Sequence, residues 1–356
     1  MPRDLHPVAW WLWAIGLAAA ASLTTNPLVL LTIVAVVAVV VAARRTHHAW
    51  ARSFRFYLWL AAVVVVLRVL WRVLLGGGYP GDVVLDLPQV PLPDAVRGVT
   101  LLGPVTSQTL LAGLYDGLRL ATLVICVGAA NSLANPKRLL RSLPPALYEL
   151  GTVLVVAVTV LPQLTQSIQR VRAAQSLRAG DTGRVRRLRR FLVPVLEDTF
   201  DRSLALAAGM DTRGYGRSGA ATPRERRTTG ALVLGGLCGT LVGVYALLDQ
   251  TAPRLLAGPM LALGVAVAVA GLVNAGRRVQ RTRYRADRWR PAEVAVVATG
   301  LAVAVLGWWV SEHQATVAYP GLDAVPQVSL AALVAGVLGV LAAVVSPPPR
   351  TPGAPR

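Results

Sequence analysis

Two arginine-glycine boxes lie in one basic stretch of the chain and are its clearest candidates for chemistry. The first box is Ser176-Leu177-Arg178-Ala179-Gly180-Asp181, and the second is Met210-Asp211-Thr212-Arg213-Gly214-Tyr215-Gly216. Each follows a segment with helical periodicity and closes on glycine, the residue that most often ends a helix in the left-handed conformation. The helix dipole favours a cation at that end, and the guanidinium fork can clamp a carboxylate. The spacing therefore predicts two helix ends that dock onto another protein.

The segments before the boxes must position them, and both carry an apolar stripe. The stripe residues recur every three or four positions, at Leu161, Leu164, Ile168, Val171 and Gln175 and again at Leu196, Phe200, Leu204, Ala207 and Met210. Such stripes pack on a neighbour, which predicts two cytosolic helices that cross each other and the underside of a membrane. A solvated basic loop or a lipid-headgroup contact is the alternative, because residues 170–227 carry fourteen arginines against six acids.

The composition is that of a membrane protein. Of 356 residues, 54% are hydrophobic and 15% are charged, the mean hydropathy is +0.56, and the apolar residues come in blocks of about twenty. The net charge of +19 lies in arginine clusters between these blocks, so the positive-inside rule accounts for it and no nucleic-acid partner is expected. Cys126 and Cys238 lie inside apolar blocks, which predicts packing residues and neither a disulfide nor a thiolate metal site.

The apolar blocks predict an all-α, polytopic fold with about eight transmembrane helices in the lipid bilayer. The arginine clusters place both termini in the cytoplasm and the loop 76–107 outside. The abundance of Ala, Val, Leu and Arg with a single Lys suggests a GC-rich bacterial genome, so the expected location is a bacterial inner membrane. A removed signal peptide is the alternative for the first block, but the second block follows at once after Asn26-Pro27, as expected of a helical hairpin. The predicted spans lie at about 8–24, 27–43, 54–75, 108–131, 231–249, 254–274, 292–310 and 328–346.

One further apolar stretch, Leu147 to Leu161, does not fit this count. It begins just after a cytosolic loop, and a full crossing would place the arginines of 170–190 outside. It is short, and Pro162 follows it. We therefore predict a partial element, interrupted at the proline, that enters or skirts the inner leaflet and returns to the cytosol.

Charged residues inside two of the predicted spans are a second functional lead. Arg68 and Arg72 lie four apart on the third span, and Asp116 and Arg119 lie three apart on the fourth. Arg68 and Asp116 are at similar depth, which makes an ion pair between the two helices feasible. In the alternative arrangement Arg72 snorkels to the outer interface and Asp116 pairs locally with Arg119.

Catalytic motifs are not found in the sequence. The only lysine is Lys137, outside any glycine-rich phosphate loop, so the chain is predicted not to hydrolyse ATP and not to be an enzyme. His47 and His48 are adjacent and would point to different faces of a helix, so no metal site and no cofactor are expected. Tryptophans near the span ends, including Trp10, Trp13 and Trp308, are predicted to anchor helices at the interface.

The two boxes, with the preceding Ala205-Leu206-Ala207-Ala208-Gly209, resemble the transmembrane T component of energy-coupling factor (ECF) ABC transporters, the EcfT/CbiQ family. The resemblance runs from Leu5 to about Arg217 and includes Leu161-Pro162-Gln163 and Val193-Pro194-Val195-Leu196. In that family two coupling helices each end in an Ala-Arg-Gly box that inserts into a paired ATPase. The resemblance implies this coupling role for Arg178, Ala179, Gly180, Arg213, Gly214, Tyr215 and Gly216.

This resemblance also implies partners, and the predicted spans give a domain organisation in which the hairpin at 231–274 departs from the family pattern. The partners are two ABC-type ATPase subunits and a substrate-binding membrane S component, and the imported substrate is a vitamin or a metal ion such as cobalt. Residues 1–146 form the N-terminal spans, 147–217 the coupling region, and 218–356 the C-terminal spans with an apparent inserted hairpin at 231–274. Two details depart from the family pattern: the first box has Ala179 between its arginine and its glycine, and the second has Thr212 in place of alanine. A self-contained secondary carrier or channel is the competing function, and an integral-membrane enzyme is the third.

Overall fold

The computed structural model describes residues 4–45, 53–75, 79–88, 102–142, 147–176, 184–215, 222–249, 253–277 and 289–348. The elements in chain order are α1 (Pro7–Ser22), α2 (Pro27–Arg44), α3 (Phe54–Leu74), β1 (Val83–Asp86), β2 (Pro104–Thr106), α4 (Ser107–Leu133), α5 (Pro136–Arg141), α6 (Tyr148–Ser176), α7 (Arg184–Asp211), α8 (Pro223–Leu248), α9 (Arg254–Arg277), α10 (Pro291–His313), α11 (Ala315–Ala318) and α12 (Leu330–Val345). They fall into two compact units, the first formed by Met1–Leu139 with Asp287–Arg356 and the second by Leu140–Ala286.

The protein is an all-α, multi-pass membrane protein, as the apolar blocks predict. By length and composition, seven of the described helices can cross a membrane, namely α2, α3, α4, α6, α8, α9 and α10. The apolar helices α1 and α12 are shorter, with 16 residues each. Apolar side chains therefore lie both between the packed helices and on the outer surface of the protein, where many large apolar side chains are exposed.

The core of the first unit lies between α1, α2, α4, α10 and α12. Trp13, Leu17, Leu30 and Val37 are fully buried there. Trp10 is also buried, so the prediction of interfacial anchoring is wrong for Trp10 and Trp13, while Trp308 is exposed. The reason is that α1 packs against both α10 and α4, so that Trp10 and Trp13 belong to the buried apolar cluster of this unit.

The turn between α1 and α2 is held by polar side chains that reach another loop. The Asn26 side chain accepts a hydrogen bond from the Leu28 backbone and so caps α2, which begins at Pro27. The Asn26 amide also donates to the carbonyls of Val317 and Gln327, at 2.8 and 2.7 Å. These bonds tie the predicted Asn-Pro turn to the segment between α10 and α12.

The predicted loop 76–107 is not wholly irregular. β1 pairs with β2 in an antiparallel ribbon, with Val83 opposite Thr106 and Asp86 opposite Pro104. β2 leads directly into α4, where the Thr106 side chain caps the helix by accepting from the Thr109 backbone.

In the second unit α6 packs on α7 and α8 packs on α9. The α8–α9 pair is the predicted hairpin, and α8 begins earlier than expected because Thr222 and Glu225 form a capping box at its start. The helices meet through glycines: a Cβ on Gly264 would lie 2.3 Å from the Thr240 nitrogen. Cys238 on α8 is exposed, so the prediction of a packing cysteine is right for the buried Cys126 and wrong for Cys238.

Helix α6 is continuous where the sequence predicted an interruption. It runs unbroken for 29 residues through Pro162, and its stretch Leu150–Ala174 is long and apolar enough to span a membrane. The prediction that the proline interrupts the helix is therefore wrong. Membrane helices accommodate proline because neighbouring groups and small backbone adjustments satisfy the carbonyl that the ring leaves free.

Candidate coupling region and intramembrane charge cluster

The second arginine-glycine box forms the end of α7. The Tyr215 backbone N–H donates to the Met210 carbonyl at 3.0 Å, and the Gly214 N–H donates to the Asp211 carbonyl at 2.9 Å. This is a Schellman motif, and Gly214 takes the left-handed position with φ of 74°. A side chain on Gly214 would meet no atom within 4 Å, so glycine is needed for its backbone conformation and not for space.

Arg213 lies at the C-cap of this motif and is exposed. Tyr215 is 40% exposed beside it. The guanidinium is thus presented at the negative end of the helix dipole, as the sequence pattern predicts. Gly216 and the whole first box, including Arg178, Ala179 and Gly180, lie outside the described residues.

A carboxylate that the sequence analysis did not single out joins α6 to α7. Asp198 on α7 accepts a hydrogen bond from the Ser167 hydroxyl at 2.5 Å and from Arg170 at 3.3 Å, both on α6. Its other oxygen accepts from Arg202 at 3.1 Å, one turn along α7. The hydrogen bond from Ser167 is the main cause that holds the pKa of Asp198 below its ordinary value, and the two arginines act in the same direction. In the sequence, only the four-residue spacing of Asp198 and Arg202 on a helical segment indicates this ion pair.

The apolar stripe of α7 is not covered by other described parts of the chain, so the predicted packing of this stripe on a neighbouring helix is not formed. Leu196, Phe200 and Leu204 follow one another at four-residue spacing and are 51%, 65% and 68% exposed. These three residues define what we call the α7 ridge, and Arg213 lies at the end of the same helix. An exposed apolar ridge on a helix whose terminus presents a cation is typical of an element that contacts another protein or a membrane.

The intramembrane charges meet between α3 and α4. The Asp116 Oδ2 atom accepts from Arg68 at 3.2 Å and from Arg72 at 2.9 Å. The predicted contact between Arg68 and Asp116 is therefore present, and Arg72 joins it instead of snorkelling away. Gly113 and Gly117 allow this approach, because a Cβ on Gly117 would lie 3.1 Å from the Val65 Cα.

The alternative pairing of Asp116 with Arg119 is not the one formed. Arg119 donates instead to the Ser22 carbonyl, near the end of α1. Carbonyls in the last turn of a helix lack intrahelical partners, so they are strong acceptors for a cation. Within the described residues, the Nε atom of Arg68 is buried without a hydrogen-bond partner.

Comparison with known proteins supplies the family. A family model described as cobalt transport protein, CbiQ, matches residues 1–223. The chain belongs to the CbiQ family. CbiQ proteins are components of multi-subunit transporters, so this membrane-embedded chain is a transport protein. The match takes in α1 to α7 and stops where α8 begins. A search of the curated proteins found no match.

Proposed function

We propose that this CbiQ-family chain is the membrane scaffold subunit of an ECF-type importer for a metal ion, such as cobalt, or a vitamin. It does not catalyse a reaction itself. It couples ATP hydrolysis by two ABC-type ATPase subunits to movement of a substrate-binding S component. The observation that carries the proposal is helix α7, which has the exposed α7 ridge along it and the exposed Arg213 at its glycine-closed terminus, within the region that the family model matches.

In this proposal α6 and α7 are the coupling helices. Arg213 enters a carboxylate-lined groove on one ATPase, and Arg178 enters the equivalent groove on the other. Asp198 then acts as a positioning residue, because its bonds to Ser167 and Arg170 would transmit a displacement of α7 to α6. The ridge residues Leu196, Phe200 and Leu204 cover the ATPase or S-component surface around that contact.

Co-purification tests the docking. Truncation of one partner of a buried, charge-assisted contact costs about 2–5 kcal/mol, so Arg178→Ala or Arg213→Ala should weaken the complex and the double variant should abolish transport. Arg189→Ala is the matched control, since Arg189 is an exposed arginine of the same helix away from the box. Full recovery of both ATPases with the double variant would contradict the proposal.

The proposal also requires that the coupling region and both termini lie in the cytoplasm of a bacterial cell. A cysteine in place of Thr182 should be shielded from an impermeant thiol reagent added outside. A cysteine in place of Val325, which is 85% exposed between α10 and α12, should react. Labelling of Thr182→Cys from outside would mean that α6 crosses the membrane completely and that the boxes face away from any cytosolic ATPase.

A further inference from the structure

The charge cluster between α3 and α4 is not neutral. Arg68 and Arg72 contribute two positive charges and Asp116 one negative charge, which leaves an excess of one positive charge. Both arginines bond the same carboxylate oxygen. Among the described residues, Asp116 is the only carboxylate that pairs with either of them. A cation without a counter-charge in a membrane-spanning helix is costly and therefore favours binding of an anion.

The arginines have donors left for such an anion. A guanidinium has five N–H groups, and the hydrogen bonds to Asp116 use one from each arginine. Arg72 also lies over the ring of Tyr79, with its central carbon 5.4 Å from the ring centroid. The phenol therefore borders the cluster on the side where α3 ends.

The cluster can be reached from the surroundings of the helix pair. The Arg68 and Arg72 side chains are 38% and 26% exposed. The neighbouring apolar residues Leu67, Leu70 and Trp71 are 48–57% exposed, as expected where a helix faces lipid. Arg72 is two residues, or about 3 Å, from the end of α3, and Arg68 is about 9 Å from it. Arg72 therefore lies within reach of the headgroup region, and the Arg68 guanidinium lies next to that of Arg72 because both bond the same Asp116 oxygen.

We propose that Arg68 and Arg72 bind one phosphate group, which either a phospholipid headgroup or inorganic phosphate supplies. Phosphate suits the site because two guanidinium forks can share its oxygens while Asp116 keeps the forks side by side. The bound phosphate completes the charge balance of the α3–α4 pair. This site is independent of the coupling role, since it involves neither box.

Lipid retention by the purified full chain tests the proposal. Native mass spectrometry should detect one tightly held phosphatidylglycerol and no equivalent binding of diacylglycerol with the same acyl chains, which lacks the phosphate. Arg72→Gln should weaken retention about tenfold, the usual effect of losing one charged hydrogen bond. The matched control is Arg55→Gln, because Arg55 is an exposed arginine at the other end of α3. Its retention should equal that of the wild type.

Asp116→Asn separates anion binding from a purely structural role. Removal of the carboxylate raises the excess to two positive charges, so phosphatidylglycerol should bind more tightly and raise the melting temperature of this variant by more than it raises that of the wild type. Inorganic phosphate that reproduces these shifts would identify the solution anion as the source, and phosphatidylglycerol alone would identify the lipid. Weaker binding by Asp116→Asn, or equal retention by Arg72→Gln and Arg55→Gln, would overturn the proposal.

Discussion

Asp116 and Asp198 perform the same task in two different environments. Each carboxylate accepts hydrogen bonds from two arginines and joins two neighbouring helices, α3 to α4 in one case and α6 to α7 in the other. Asp116 lies within an apolar span, and both of its arginines belong to the partner helix. Asp198 lies on a charged helix outside the predicted spans, and it divides its contacts between Ser167 and Arg170 on the partner helix and Arg202 on its own.

The difference shows how the environment of an ion pair determines its contribution to stability. An apolar environment makes an unpaired charge expensive, so the contact at Asp116 has to persist once the helices are inserted. The Arg170 and Asp198 side chains are 61% and 35% exposed, so in the proposed cytosolic position water and salt would screen their contact, which could then open at little cost. We therefore expect the α3–α4 contact to be more persistent than the α6–α7 contact.

The largest expected effect is that of Asp116→Asn. Loss of the carboxylate leaves two arginines without their counter-charge, and we expect a loss of about 3–5 kcal/mol in stability. Thermal unfolding in detergent measures it. Addition of Arg68→Gln should recover part of the loss, and addition of Arg72→Gln as well should recover more, because each step removes a cation without a partner. Simple additivity of the single effects would show that the three side chains do not interact.

A smaller effect is expected at the glycine that brings α3 and α4 together. In Gly117→Ala the new Cβ would lie 3.1 Å from the Val65 Cα, so the helices must separate slightly, at a cost of about 1–3 kcal/mol. The matched control is Gly209→Ala on α7, where a Cβ meets nothing within 4 Å. There the substitution should stabilise by about 0.5–1 kcal/mol, because alanine favours the helix. Equal effects of the two variants on the melting temperature would contradict the distinction between the helix pairs.

The smallest effect is expected at Asp198, and it should depend on pH and salt. Since the folded-state pKa of Asp198 is lowered, its stabilising contribution is present at neutral pH and is lost as the pH falls below the ordinary carboxyl range through that lowered pKa. High salt should weaken it as well. The protection factors for hydrogen exchange, which are corrected for the intrinsic rate at each pH, should therefore fall in α6 and α7 under both conditions and stay unchanged in α3 and α4. Asp198→Asn should abolish this dependence on pH and salt. A response of equal size in both helix pairs would show that the Asp116 and Asp198 contacts do not differ in their exposure to solvent.

The sequence by itself determined the positions of most spans and several helix ends. A run of apolar residues and a cap are local properties, so the start of α2 at Pro27 and the left-handed Gly214 could be read directly. The family resemblance came from local motifs too, and the family model matches the same part of the chain. The depth of Arg68 and Asp116 followed from counting residues along two spans.

The tertiary structure decided which neighbours these residues meet. Arg119 bonds the Ser22 carbonyl because α1 ends beside α4, and the burial of Trp13 follows from α10 packing on α1; neither neighbour can be read from a local pattern. The same holds for Asp198, whose partners Ser167 and Arg170 lie about thirty residues earlier in the chain. Helix positions are encoded in short stretches of sequence, but the charges that pair depend on how distant helices pack, and only the folded chain brings those helices together.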